Sequence, residues 1–234
     1  VSLSYGSYNT NKQAVHVSSG LMGGHWTVDA RLTRLSSDGY IRRGGTSLTS
    51  YMFQGGYYNG NTMLKLISFG GKAKTGLTYT GATKEEMRLN GRRFHTEGMY
   101  YTSNGPHSYY YMKDGERQRA TVDYYDDQTD NYLQMNYQLL LNHTFSAAWH
   151  LNAALHYTKG DGYYQEYKED RSLKEYRLHP FMYDGKEVEK SDLIRQKKMD
   201  NHFGGGVFSV NYRNEKLDAS LGGALNYYDG WHFG

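Results

Sequence analysis

Residues Asn131–Phe145 read NYLQMNYQLLLNHTF, and this stretch decides the fold class. Leu133, Met135, Tyr137, Leu139 and Leu141 alternate with Gln134, Asn136 and Gln138, then Asn142 and Thr144. Successive side chains of a strand point to opposite sides, so a period of two describes a strand with one apolar and one polar face. The same alternation sets Trp26, Val28, Ala30 and Leu32 against Thr27, Asp29, Arg31 and Thr33 within His25–Leu35. It recurs in His150–Thr158 (Leu151, Ala153, Leu155, Tyr157) and in Lys216–Tyr228 (Leu217, Ala219, Leu221, Leu225, Tyr227). Val1–Tyr8, Lys12–Leu21, Ser47–Tyr58, Thr62–Gly70 and His202–Tyr212 show it more weakly, which makes nine strands.

The strong strands are longer than the ~5–6 residues usual in soluble sheets and match the ~9–11 that a tilted membrane-crossing strand needs. Tyr and Trp gather near their ends: Tyr5, Tyr8, Trp26, Tyr57, Tyr58, Tyr132, Trp149, Tyr157, Tyr212, Tyr227 and Tyr228. Rings with a polar tip favour the two interfaces of a bilayer. Connections alternate in length. Met22–Gly24, Asn59–Asn61, Ser146–Trp149 and Arg213–Glu215 read as tight turns, whereas Ser36–Thr46, Gly71–Asp130 and Lys159–Asn201 read as long connections, with Asn9–Asn11 the short exception. The fold expected is all-β: an antiparallel up-and-down transmembrane β-barrel, about nine strands of a larger one, with long outer loops.

Composition agrees once it is divided. The 234 residues include 28 Gly, 25 Tyr and only 2 Pro, with a mean hydropathy of −0.83. No run of about 18 apolar residues exists, which excludes helical membrane spans and nothing else. An aromatic content of 15% argues against a disordered chain. The net charge of +3 is too small to argue for nucleic acid. With 0 Cys there is no disulfide, thiolate site or cysteine nucleophile. Charge concentrates in two segments: 71–130 holds nine basic and nine acidic residues, and 159–200 holds ten of each.

Leu3-Ser4-Tyr5-Gly6-Ser7-Tyr8-Asn9-Thr10 resembles the first barrel strand of TonB-dependent outer-membrane receptors. Ser36-Ser37-Asp38-Gly39-Tyr40-Ile41 is similar to an outer loop, and Leu155–Tyr167 to a strand running into a loop. The ending Gly222–Gly234 also fits. The resemblance spans nearly the whole chain, with the two charged insertions matching only in position and length. It implies one domain, 1–234, the N-terminal part of a receptor barrel without the plug and without the segment that engages the TonB energy-transducing complex. It further implies a place in the bacterial outer membrane, contact with outer-membrane lipid, and energised uptake of a scarce nutrient such as a ferric siderophore or haem. Two other readings share the strand pattern: a soluble secreted β-sheet module that binds carbohydrate or protein, and a passive porin-like barrel.

No catalytic motif is present: G-x-S-x-G, H-E-x-x-H and the phosphate-binding Walker sequence are all missing. The chain is expected to be no enzyme and to need no cofactor. His95-Thr96-Glu97 copies half of a zinc-deaminase signature whose cysteine ligands are lacking. Asp123, Asp126, Asp127 and Asp130 lack the spacing of a calcium loop and read as a solvated acidic face. Gly204-Gly205-Gly206, inside a strand, reads as a bend or close approach rather than a phosphate cradle.

A binding surface is the better expectation. Arg42, Arg43, Arg92, Arg93, Arg117 and Arg119 offer forked donors to anionic oxygens, while His95, Tyr109, Tyr110, Tyr111, Tyr163 and Tyr164 offer flat, stiff contact area. On an outer rim they would suit an anionic, aromatic iron chelate. The competing reading is that loop Tyr and Arg pack on each other to order the loops.

Overall fold

The computed structural model describes all residues Val1–Gly234. Its strands in chain order are β1 (Ser2–Gly6), β2 (Thr10–Ser18), β3 (Trp26–Ser37), β4 (Thr46–Tyr58) and β5 (Thr62–Gly76). A helix α1 (Lys84–Asn90) precedes β6 (Met99–Tyr101), β7 (His107–Lys113) and β8 (Glu116–Tyr124). Then come β9 (Thr129–Thr144), β10 (Trp149–Ser172), β11 (Phe181–Tyr183), β12 (Lys186–Val188), β13 (Lys190–Arg213) and β14 (Asp218–Phe233). Nine of these form one antiparallel sheet in the order β1-β2-β3-β4-β5-β9-β10-β13-β14. Each neighbour is the next large strand along the chain, so the topology is up-and-down. The sheet does not close, and it is a section of a β-barrel.

Register sorts the side chains into two faces. One face carries Val15, Val17, Trp26, Val28, Leu32, Phe53, Leu64, Leu66, Leu139, Leu155, Phe208, Leu221 and Leu225. The other carries Gln54, Gln134, Asn136, Gln138, Asn152, His156, Thr158 and Asn201 among scattered apolar groups. This mixed face is knitted by cross-strand bonds: Thr158 Oγ1 to Asn136 Oδ1 at 2.9 Å, His156 Nε2 with Asn226 Oδ1 at 2.9 Å, Ser220 Oγ to Asn211 Oδ1 at 2.7 Å. The depressions of the sheet open on it, so the polar face is concave and the apolar face convex.

Nothing covers the convex face. The accessible surface is 15888 Å², against about 10,800 Å² for a compact globular chain of this mass. Roughly 5,000 Å² that a soluble domain would bury is therefore open. Only 14 of 234 residues are buried, and the cluster of buried apolar residues, Phe94, Tyr109 and Val122, lies in the insertion between β5 and β9 rather than in the sheet. A sandwich would pack two apolar faces together; this sheet is a single layer.

Two aromatic rows border the convex apolar band. Near the tight turns, Trp26 contacts Tyr57 at a ring separation of 4.7 Å and Trp149 contacts Tyr212 at 4.8 Å. Following the register from Trp26 across to β10 leads to Ala153, and Trp149 lies four residues nearer the turns. Four strands are crossed for a shift of four residues. Tyr57 to Tyr212 gives the same ratio, and Tyr51 to Tyr137 in the opposite row shifts two residues over two strands. With about 3.3 Å per residue and 4.8 Å between strands, one residue per strand corresponds to a tilt of about 35°. That lies within the range of membrane barrels, about 35–45°. On β10 the rows are eight residues apart, which at this tilt is roughly 22 Å, close to the ~25 Å apolar band of such barrels.

Local chemistry explains the trimmed rim. Asn59 Oδ1 accepts from the backbone of Asn61 and Thr62 at 3.0 and 2.8 Å, and Asn214 Oδ1 does the same for Lys216 and Leu217, both at 2.8 Å. Each Asn closes its own turn. The glycine run on β13 marks a close approach, since a Cβ on Gly205 would overlap the β14 backbone at Leu225.

The second long connection is shorter than the sequence suggests. Lys159–Asn201 reads as a long connection in the sequence, yet β10 and β13 stay paired from Trp149↔Tyr212 to Ser172↔Lys190, with a bulge between Lys168 and Arg171, leaving only residues 173–189 as connection. These extensions tolerate charge because they rise past the aromatic row, where water is available, and because charges pair across the strands: Lys159 with Asp200, Glu166 with Arg195. The first connection likewise narrows from Gly71–Asp130 to residues 77–128.

Candidate functional site

All long connections lie on the rim opposite the Asn turns, and they form two separate clusters. The insertion 77–128 folds as a small unit. Thr83 and Glu86 cap α1 reciprocally, and β6-β8-β7 form a three-stranded sheet around Phe94, Tyr109 and Val122. The outer edge of β7 is closed by the Asn90 side chain, which donates to Tyr110 O at 2.8 Å and accepts from Tyr110 N at 2.9 Å. A polar clamp fixes the unit to the β10 extension. Gln128 donates to Glu97 Oε2 at 2.7 Å and accepts from Tyr167 N at 3.0 Å, while Gln165 Nε2 donates to Tyr125 Oη at 2.7 Å. Asp127, held below the usual carboxylate range by its hydrogen bond from Lys74, also accepts from Gln165.

Most residues named from sequence order this unit. The Arg43 guanidinium stacks on Tyr124 at 3.4 Å and donates to His95 O at 3.2 Å. Arg93 donates to Tyr40 O at 2.6 Å and lies over the Tyr8 ring at 5.0 Å. Buried His95 donates from Nε2 to Arg42 O and accepts at Nδ1 from the Glu97 amide, so its ring is neutral and both nitrogens are used. Burial holds its pKa below the usual histidine value, reinforced by Arg43 against the opposing pull of the Arg42 carbonyl and Glu97. Tyr109 is stacked between Phe94 and Tyr111 at 5.5 and 5.6 Å. Tyr110, on the other face of β7, lies under Arg117 at 4.1 Å, and Arg119 donates to Ser108 Oγ at 3.0 Å. Arg92 is exposed. Arg42, Arg43, Arg93 and His95 thus meet in one knot, with a cleft of about 300 Å³ between Arg42, Arg43, Asn90, His107 and Tyr110. Tyr163 and Tyr164 are elsewhere and face opposite sides of β10.

The larger concavity is on the upper concave face between β9 and β14. It encloses about 1250 Å³ and is lined by Tyr132, Tyr164, Arg177, Arg195, Lys197, Asn201 and His232. Lys197 lies over the Tyr164 ring at 5.6 Å. Arg195 is committed to Glu166, donating from Nε at 2.9 Å, and Lys168 approaches the other carboxylate oxygen at 2.7 Å. Burial would raise the Glu166 pKa, but these two cations hold it below the usual range. Arg177 and Lys197 form no ion pair with a carboxylate. Arg177 is itself the left-handed residue that closes the 3-10 turn Leu173–Tyr176, which is anchored by buried Leu173. A cationic, tyrosine-walled concavity open to the rim can hold an anionic, aromatic molecule.

Sequence reasoning named Tyr164 but missed Arg177, Arg195 and Lys197. The signal was Arg195, Lys197, Met199 and Asn201 at alternate positions, masked by the charges between them. The aspartates do not form a cluster: Asp123 accepts from Tyr100, Asp127 from Lys74, and Asp130 from Tyr79.

No family model matches the chain, and no curated protein matches it. Among solved structures it is similar to P. aeruginosa FpvA bound to heterologous pyoverdines as an iron complex, with 12% identity and a TM-score of 0.43. The similarity covers 98% of this chain and 37% of that one, so the chain spans well under half of that receptor's length.

Proposed function

We propose that the chain is a section of an outer-membrane β-barrel receptor that captures an anionic, aromatic iron chelate at its outer rim for energised uptake. The observation that carries the membrane part is the convex apolar band between two aromatic rows whose slant matches barrel tilt. The uncovered face favours lipid over a second sheet as its neighbour. The elaborated rim, with a cationic concavity on the inner side of the wall, favours a ligand receptor over a passive pore. Arg177 and Lys197 would meet ligand oxygens, while Tyr132 and Tyr164 would stack on its rings. Tunnelling of the ligand past a plug and engagement of TonB belong to parts of such a receptor outside these residues.

The test is binding of a ferric catecholate chelate to the chain in detergent micelles. Each charge-assisted contact is worth about 1.5–3 kcal/mol, so Arg177→Gln and Lys197→Gln are each expected to weaken binding roughly tenfold or more. Unchanged affinity in both variants removes the concavity from the mechanism. A chain that is monomeric and cooperatively folded in water without detergent removes the membrane reading itself.

A further inference from the structure

The outward charges just above the upper aromatic row differ between the two halves of the sheet. On β9–β14 the outward residues include Lys159, Asp161, Asp200, His202 and Asp229, with Asp200 paired to both Lys159 and His202. On β1–β5 the outward positions beyond the row are Asn11, Gln13, Arg34, Ser36, Ser47, Thr49, Lys72 and Lys74, with no carboxylate among them. Lys74 is neutralised by Asp127 at 2.7 Å. The Arg34 and Lys72 side chains are exposed and form no hydrogen bond, ion pair or cation–π contact within the chain. They face each other across Thr49, in the cross-strand register Arg34↔Thr49↔Lys72.

Two strand spacings place their backbones about 10 Å apart, a gap that two long side chains converging on one oxyanion can close. Corrected for the 35° slant, they stand roughly 3–8 Å above the aromatic row, the depth of headgroup phosphates in a bilayer. Beneath them Leu32, Tyr51 and Phe53 continue the apolar band. We propose that Arg34, Thr49 and Lys72 form a binding site on the outside of the wall for a phosphate-bearing membrane lipid, with its headgroup between the two cations and its chains on Leu32 and Phe53. The site rests on the membrane reading but is separate from the ligand concavity, which opens on the opposite face.

The chain in zwitterionic detergent is titrated with short-chain phosphatidic acid or phosphatidylcholine, and bound lipid is counted by native mass spectrometry. Phosphatidic acid is expected to be retained preferentially, and Arg34→Gln/Lys72→Gln to weaken it about tenfold, in line with the attraction of basic side chains to anionic lipid surfaces. Lys84→Gln/Lys113→Gln, which removes the same charge from the insertion, is expected to leave retention unchanged. Equal loss in both double variants, or in neither, overturns the site. Displacement of the lipid by inorganic phosphate overturns the lipid as occupant. A lost preference in a chain that still inserts into phosphatidylcholine bilayers sinks this site alone, whereas a chain that folds without any amphiphile sinks the membrane reading with it.

Discussion

Leu66 offers the sharpest test of the convex face as a lipid face. It is 49% exposed and lies near mid-height between the aromatic rows on β5, with Leu139 directly across from it on β9. An arginine there places a guanidinium at the bilayer midplane, which costs about 2–4 kcal/mol in membrane barrels. At 1.4 kcal/mol per tenfold, the folded-to-unfolded ratio falls by roughly 30- to 700-fold. The adjacent Lys65 supplies an internal control: its ammonium points to the concave side, 6.0 Å from the Tyr58 ring, so the strand already tolerates a cation at that height. Urea unfolding from phosphatidylcholine vesicles reads the loss through tryptophan emission, since Trp26, Trp149 and Trp231 all project from the convex face. Lys65→Leu is expected to change stability far less than Leu66→Arg. A water-exposed surface substitution stays within about 0.5 kcal/mol. A Leu66→Arg penalty that small refutes lipid contact at this face.

The rim yields three further expectations. The folded pKa of His95 lies below its ordinary 6.5, so the stability it confers is complete above 6.5 and is lost as pH falls through the folded value. Amide protection factors at residues 41–44 and 92–97, taken relative to the intrinsic exchange rate at each pH, should fall with acidification, and His95→Gln should flatten that dependence. Gly76→Ala brings a Cβ against the Arg43 carbonyl and should destabilise the 38–45 loop by about 1–3 kcal/mol, seen as faster exchange there with the sheet unchanged. Val122→Ala hollows the insertion core at a fully buried position and should loosen residues 99–124 by about 1–3 kcal/mol without moving the urea midpoint of the sheet.

The nine-stranded order was legible because each strand has unlike neighbours on its two faces, as Leu133–Thr144 shows: period two survives in the sequence whatever the solvent. The extensions of β10 and β13 were not, because a strand that runs past the apolar band is polar on both faces and loses its apolar alternation. Lys159–Asn201 therefore reads as loop, although only register, not composition, separates the two. The site suffered from the same blindness. Arg and Tyr at Arg43, Arg93 and Tyr109 have the composition of a ligand surface, yet they spend it on Tyr124, Tyr8 and Phe94. Lys197 and Arg177 sit among other charges, and nothing in their neighbourhood in sequence marks them as left without a carboxylate.

That use of arginine and tyrosine has a physical reason. On the proposed membrane reading, a single-layer sheet has no interior from which its loops can borrow a core, so a rim that must hold a shape needs its own. Here the insertion supplies Phe94, Tyr109 and Val122, and stacked Arg–Tyr pairs fasten it to the neighbouring loops, with Gln128 and Gln165 fixing it to the β10 wall. On that reading, stability of the rim and stability of the sheet come from different sources, hydrophobic packing in water for one and lipid contact for the other. Perturbations of the first leave the second in place, which is why Val122→Ala and Leu66→Arg are expected to separate cleanly in the same protein.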